Sequence, residues 1–319
     1  MGPADRFSPL LVTGAAGFVG AYLTRRALEA GFEVHVVLRS GADGWRLEGV
    51  LDRLRVHHVD LIDAAAVTEL VGEVRPRAVW HLAAHGAYEW QDDGRRILQA
   101  NVLGTFNLLE AAVAVKTRVV VAAGSSSEYG FRDSPMSEED RLAPNSVYAV
   151  GKAAQAHLVS LMGARPGTPA MVSLRLFSVY GPWEEPRRLI PTLIRRARAG
   201  LPLEMAARET ARDFVYVDDV AEAFLALDRL CELGGEVLNI GSGVQSTLAD
   251  VADAVRDAVG HAVEVRWGAV AARRWDATCW QADPARAARL LSWRARHSLR
   301  EGIARTVEWV QATGGRDVA

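Results

Sequence analysis

The chain has 319 residues, half of them hydrophobic, with 37 Lys+Arg against 39 Asp+Glu and a formal net charge of −2. That length builds a large core in one or two domains, and the balanced charge supplies no global basic field for nucleic acid or an anionic membrane surface. Two cysteines, Cys231 and Cys279, stand far apart without CxxC spacing. No metal site or disulfide framework is therefore expected; "MGPADRFSP" carries no signal pattern, no apolar run reaches about 18 residues, and a cytoplasmic protein away from membranes is expected.

In chain order, "LLVTG" (10–14) reads as a strand and 17–30 as a helix ended by Gly31. "EVHVVLR" (33–39) and "LRVHHVD" (54–60) are further strands, followed by a helix near 63–73 and the strand "RAVWHLAA" (77–84). A long helical pattern covers 97–115, "TRVVVAAG" (117–124) is a strand, the segment with Tyr148 is a helix, and "AMVSLRLF" (170–177) is a strand. Near-continuous apolar strands alternating with helices predict an α/β fold, a Rossmann-type doubly wound parallel sheet covered on both faces. Beyond "YGPWEEP" (180–186) the rhythm changes, with helices near 188–199 and 247–259 and short strands at 214–217 and 236–240. This predicts an NAD(P)-binding domain over 1–178, with a return segment near 213–243, and a smaller, mainly substrate-binding domain over 179–319.

"VTGAAGFVG" sets Gly14, Gly17 and Gly20 between the first strand and its helix. Gly14 permits the turn, Gly17 admits a pyrophosphate, Gly20 lets helix pack on strand, and the helix N-terminus stabilises the phosphates. The second strand ends Leu38, Arg39, Ser40, with no acid until Asp43. A carboxylate there selects NAD and a basic residue accommodates a 2′-phosphate, so NADP is favoured over NAD, with Arg39 as the discriminating residue. Asp60, closing the third strand, is a candidate partner of the adenine amino group.

"NSVYAVGKAA" places Tyr148 and Lys152 at i and i+4 on one helix face. A phenol is a poor acid–base group at neutral pH until a nearby ammonium and nicotinamide cation favour its phenolate. A serine hydroxyl at the end of the strand before "SSSEYG" is suited to hydrogen-bond the substrate oxygen, because ligands bind outside the carboxyl ends of such strands.

With "GAAGFVG", "HLAA", "NVLGT", "SSSEYG", "YAVGK", "LRLFSVYGP", "RDFVYVDDVAEA", "LNIGSG" and "ADPARAARLLSW" in order, the sequence resembles the extended short-chain dehydrogenase/reductases acting on nucleoside-diphosphate sugars: epimerases, 4,6-dehydratases and 4-ketoreductases. The resemblance makes Ser125 the catalytic hydroxyl beside Tyr148 and Lys152, and adds Phe18, Val19, Leu61, Leu82, Ala83, Ala84 and Asn101 to the cofactor site. It implies that Arg212 binds the substrate diphosphate, that Arg274 supplies a second phosphate contact and Asp276 a ribose contact, and that His85, Tyr88, Ser126, Ser178 and Arg187 line the nucleotide-sugar site. Trp183, Trp275 and Trp280 are candidates for base stacking or packing, with Arg188 beside Arg187. Ser178 stands where many relatives carry asparagine.

Dehydratases of the family carry carboxylates after the catalytic hydroxyl, where this chain has Ser126 and Ser127. Glu128 follows, and in an extended segment it would face the opposite way, so a dehydratase is disfavoured. The expected activity is hydride transfer at C4 of a nucleotide-linked hexose, as a 4-ketoreductase, with a 4-epimerase retaining its cofactor as the alternative. A steroid- or flavonoid-type ketone reductase would not need the arginines, and a non-catalytic dinucleotide sensor would not need Tyr148 and Lys152. A homodimer through helices 97–115 and 148–163 is the family expectation.

Overall fold

The computed structural model describes residues 2–271 and 279–314. Its strands are β1 Leu10–Thr13, β2 Val34–Leu38, β3 Arg55–His58, β4 Ala78–His81, β5 Val119–Ser125, β6 Ala170–Leu176, β7 Ser178–Tyr180, β8 Leu203–Met205, β9 Ala211–Tyr216, β10 Val237–Ile240, β11 Gln245–Thr247 and β12 Val265–Trp267. Seven form one sheet in the order β10-β6-β5-β4-β1-β2-β3, and every pairing in it is parallel. The chain winds one way from β1 to β3 and the other way from β4, which leaves a crevice between the carboxyl ends of β1 and β4.

Successive residues of the central strands feed opposite cores. Leu10, Val12, Trp80, Val121 and Leu174 pack with helices Phe18–Glu29 and Val217–Leu225. Leu11, Val79, Val120, Ala122 and Met171 pack with helices Ala64–Val74, Gly104–Ala114 and Val147–Gly163. This two-sided burial explains the unbroken apolar strands. Later segments build a separate core from Ile190, Leu193, Ile194, Val251, Val255, Ile303 and Val307 beside Tyr180 and Tyr216. A three-stranded sheet, β11-β9-β7, and the pair β12-β8 belong to this part, while β10 crosses back to the large sheet.

The helical pattern expected from residue 97 starts earlier. The Asp93 carboxylate accepts from the Arg95 and Arg96 amides and caps a helix beginning at Gly94, and Gln99–Leu103 is a π turn. The helix through Gly94–Ala114 is apolar and long enough to span a bilayer; here Leu108, Leu109, Ala111 and Ala112 bury that apolar character under the sheet.

At the end of β5 the expected extended course gives way to a 3₁₀ turn over Ser126–Tyr129. The Ser125 amide donates to Glu128 Oε1 at 2.7 Å, which curls the chain and carries Glu128 under the strand end rather than to the far face of an extended segment. There Arg175 of β6 donates from Nε to Glu128 Oε2 at 2.9 Å and from Nη1 to the Tyr129 hydroxyl at 2.6 Å. Tyr129 donates in turn to Asn239 of β10. Both ionic partners are buried, at 0 % exposure for Glu128 and 3 % for Arg175. A second buried acid, Asp213 of β9, accepts from the amides of Ser242, Gly243 and Ala282 and from the Ser242 hydroxyl, tying the smaller sheet to the loop after β10.

Removing one partner of a buried pair strands the other charge, whereas replacing both by apolar groups is much less costly. Arg175→Met is expected to lower stability in urea titrations by about 3–5 kcal/mol, and the Glu128→Leu/Arg175→Met double variant to recover most of that loss.

Candidate active site

Gly14 has φ +73, and a β-carbon there would lie 2.5 Å from the Ala83 nitrogen, so the turn after β1 presses on the loop after β4. A β-carbon on Gly20 would fall 2.2 Å from the Gly14 carbonyl oxygen, which fixes how closely the helix Phe18–Glu29 meets the turn. Gly17 is different: it is exposed, its would-be β-carbon meets only the Gly14 oxygen at 3.2 Å, and it caps the helix with no side-chain hydrogen bond. Open backbone at an uncapped helix N-terminus in the crevice fits a pyrophosphate. Phe18 and Val19 are half-buried behind it, and Leu82 and the exposed Ala84 flank Ala83 across the crevice. The Ala83 amide donates to Thr13 Oγ1.

Arg39 is exposed directly after β2. Asp43 is engaged in its own turn, accepting from the Trp45 amide. Asp60 pairs with Arg96 at 2.7 Å. Burial raises its carboxyl, but the Arg96 and Ile62 hydrogen bonds and the charges of Arg96 and Arg39 outweigh this and hold it below its usual range. The acid expected to meet adenine is thus shared with a guanidinium. Leu61 is buried and its carbonyl accepts from Asn107.

Asn101 is buried, and its amide bonds the backbone of His85, accepting from the N–H at 2.8 Å and donating to the C=O at 2.9 Å, which shapes the loop after β4. The His85 imidazole is held down by burial and by the Arg39 and Arg96 charges, against Asp93. Burial pushes the Tyr88 phenol up, with Glu185 and Glu184 adding to it and Arg46 and Arg188 opposing it.

Ser125, Tyr148 and Lys152 meet at the carboxyl end of β5. The Ser125 hydroxyl bonds Ser127 Oγ at 2.8 Å and accepts from the Ser127 amide. Burial pushes the Tyr148 phenol up; the Ser125 hydrogen bond and the Arg188 charge oppose this, while Glu128 and Tyr88 add to it. Burial brings the Lys152 ammonium down to about 8, with Glu128 supporting its charge. The Lys152 Nζ donates to the Ala123 carbonyl at 2.5 Å and to Gln155, because a buried ammonium needs acceptors and the strand end and the next helical turn supply them. Gly151 lets the Tyr148 helix cross close to Asn101, whose Cβ would be 3.3 Å from an added β-carbon.

On the sugar side, Arg188 lies 5.6 Å over the Tyr88 ring and Arg187 5.2 Å over Trp90, which itself stacks on Tyr88 at 4.7 Å. Ser178 is half-buried at the start of β7. Arg212 is half-buried, 5.2 Å over the Trp280 ring. Ser126 is a correction: it is buried and its hydroxyl accepts from the Trp280 indole at 3.0 Å, a bond inside the core cluster of Tyr129, Met136, Phe177 and Ala282. Trp280 packs there and is not a base-stacking surface. Arg274, Trp275 and Asp276 lie outside the described residues.

Sequence reasoning missed Arg175, Arg46 and the buried His81. A charge inside the apolar run of β6 is the local signal for Arg175; nothing local announces its partner 47 residues away. His81 bridges Thr13 Oγ1 at 2.7 Å and Thr105 Oγ1 at 2.8 Å. Thr105 donates its own proton to the Asn101 carbonyl, so it accepts from Nε2–H, and His81 Nδ1 accepts from Thr13.

The model of the NAD dependent epimerase/dehydratase family matches residues 10–241. The dTDP-glucose 4,6-dehydratase of Salmonella typhimurium is 28% identical, over 95% of this chain and 92% of its own. The UDP-glucose 4-epimerase of Mycolicibacterium smegmatis is 32% identical, over 94% and 97%. The structure of MoeE5 in complex with UDP-glucuronic acid and NAD is 33% identical with a TM-score of 0.81, covering 95% of this chain and 99% of that one.

Burial takes His81 from 6.5 to about 3, with the Lys152 charge contributing. Between those values the unfolded chain binds a proton that the folded chain does not, so this residue's contribution to stability is present at neutral pH and is lost as pH falls below about 6.5. It amounts to about 2 kcal/mol between pH 7 and pH 5. The His81→Gln variant is expected to show a correspondingly shallower loss of denaturant midpoint over that range.

Proposed function

This chain belongs to the NAD dependent epimerase/dehydratase family, and on that footing we propose that it transfers hydride at C4 of a nucleoside-diphosphate hexose, in the direction of 4-keto reduction with NADPH. The observation that carries the reading is the end of β5: Ser125 and Tyr148 are brought together, while Glu128, the carboxyl that follows the serines, is locked to Arg175. Elimination of water needs an acid and a base beside the sugar. Ser126 and Ser127 provide neither, which is the ground for setting dehydration aside.

Gly14, Gly17, Gly20 and the helix behind them would hold the dinucleotide, with Arg39 beside the adenosine ribose. When bound, the nicotinamide exchanges hydride with C4. Tyr148 gives a proton to the C4 oxygen as the ketone is reduced, and Ser125 holds that oxygen by hydrogen bond. Lys152 keeps a positive charge under the strand end, which favours the phenolate left behind. Arg212 is suited to the substrate diphosphate by its planar fork. Arg39, with no acid before Asp43, supports NADP(H) over NAD.

A second reading, C4 epimerisation with retained cofactor, is favoured by the 32% identity to a UDP-glucose 4-epimerase over nearly the full length of both chains. The homodimer is also part of the proposal. Leu98, Leu103, Phe106, Val147, Val150 and Leu161 are exposed on the two helical segments flanking the catalytic residues, an apolar surface suited to a second copy.

Stoichiometric NADPH oxidation with a 4-keto-6-deoxy nucleotide sugar is expected; C4 inversion of UDP-glucose without net cofactor change would move the assignment to epimerase. Tyr148→Phe is expected to lower kcat by about 10²–10⁴-fold with cofactor affinity, measured by calorimetry, retained. Leu103→Arg is expected to convert the dimer to a monomer in light scattering, and an unchanged mass would refute this surface as the interface.

A further inference from the structure

The segment after β2 touches both halves of the site. Arg46, in the 3₁₀ turn Trp45–Leu47, is 7 % exposed although it carries a guanidinium. Its guanidinium donates from Nε to the Trp183 carbonyl at 2.8 Å, from Nη2 to Glu185 at 3.1 Å and from Nη1 to the Ala16 carbonyl at 3.4 Å. Ala16 lies inside the glycine turn; Trp183 and Glu185 lie in the loop that continues to Arg187 and Arg188. One side chain therefore spans the loop that would hold the pyrophosphate and the loop that borders the sugar side.

The same loop is held from the cofactor side in a second way. Arg25, on the helix that starts at the glycine turn, donates to the carbonyls of Arg46 and Glu48 at 2.9 and 2.7 Å, and its cation sits 4.3 Å over the Trp183 ring. Trp45 and Trp309 meet that ring at 5.8 and 4.9 Å. Trp183 has φ +72, a left-handed conformation that a bulky residue keeps only when its surroundings impose it. At the far end of the loop, the Arg188 amide donates to the Glu185 carbonyl at 2.8 Å and the Arg188 guanidinium lies 5.6 Å over the Tyr88 ring. Contacts thus run from the glycine turn to Arg46, to Trp183 and Glu185, and on to Arg188 and Tyr88.

We infer that Arg46 is a positioning residue that couples the two ligand sites, so that a dinucleotide on the glycine turn sets the 183–188 loop for the sugar nucleotide. This rests on the proposed pair of ligands. By linkage the sugar nucleotide tightens the dinucleotide by the same factor. An ammonium cannot reproduce the fork: one lysine Nζ does not reach three acceptors that a planar guanidinium satisfies together.

The test is calorimetric titration of UDP-glucose with and without saturating NADP+, or NAD+ if that is the dinucleotide bound. In the parent protein the dinucleotide is expected to lower the Kd for UDP-glucose about fivefold or more. In Arg46→Lys the ratio is expected to fall below about twofold while each ligand alone still binds, and Glu185→Gln, which keeps the arginine, is expected to reduce it as well. If circular dichroism shows the lysine variant unfolded, the glutamine variant decides. Full tightening in a folded variant overturns the coupling role of Arg46, as does binding of both ligands to the parent with no tightening. Failure of the parent to bind either ligand instead overturns the proposed function and this inference with it.

Discussion

The buried pair of Glu128 and Arg175 organises the part of the molecule where chemistry is expected. Each charge sits where water is excluded, and each is worth its desolvation only because the other is there. Their bond crosses from the turn after β5 to β6, and the Ser125 amide is drawn onto the same carboxylate. The Ser125 backbone is therefore fixed at the strand end, where its hydroxyl bonds Ser127. From Arg175 the network continues through Tyr129 to Asn239, whose amide nitrogen donates to the Met136 carbonyl. A single ionic contact thereby connects β5, β6, β10 and the segment near Met136.

The sheet and the glycine turn were legible because they obey local rules. Strands buried on both faces are apolar throughout, and a helix N-terminus that receives phosphate needs glycines at fixed offsets. Tyr148 and Lys152 were legible for a similar reason, since helical spacing alone puts them on one face. What escaped was long-range. Glu128 reads as the next residue of a strand until its bonds to the Ser125 amide and Arg175 are seen, and the π turn at Gln99–Leu103 carries the Asn101 that bonds the backbone of His85. The Ser126 hydroxyl was placed from motif order, which gives proximity to the site but not the partner that claims a hydrogen bond. Trp280 settles Ser126 from 154 residues away.

The two buried acids serve the two halves differently. Glu128 neutralises a guanidinium inside the large sheet. Asp213 instead accepts three amides and a hydroxyl, and although burial raises its carboxyl those bonds oppose the rise. It works as a backbone organiser, fastening β9, with Arg212 next in line, to the loop after β10. Candidate catalytic residues and candidate phosphate ligands are in this way set on the same frame.

Gly151 bears on how this catalytic helix can vary. The spacing Tyr-x-x-x-Lys suggests three interchangeable positions between the acid–base pair, yet the third lies against Asn101, itself pinned to the loop after β4. A methyl group there would sit 3.3 Å from the Asn101 β-carbon, so Asn101 has to give way by a few tenths of an ångström. What a side chain at this position does to the helix is therefore decided by how freely Asn101, tied to both backbone groups of His85, can yield.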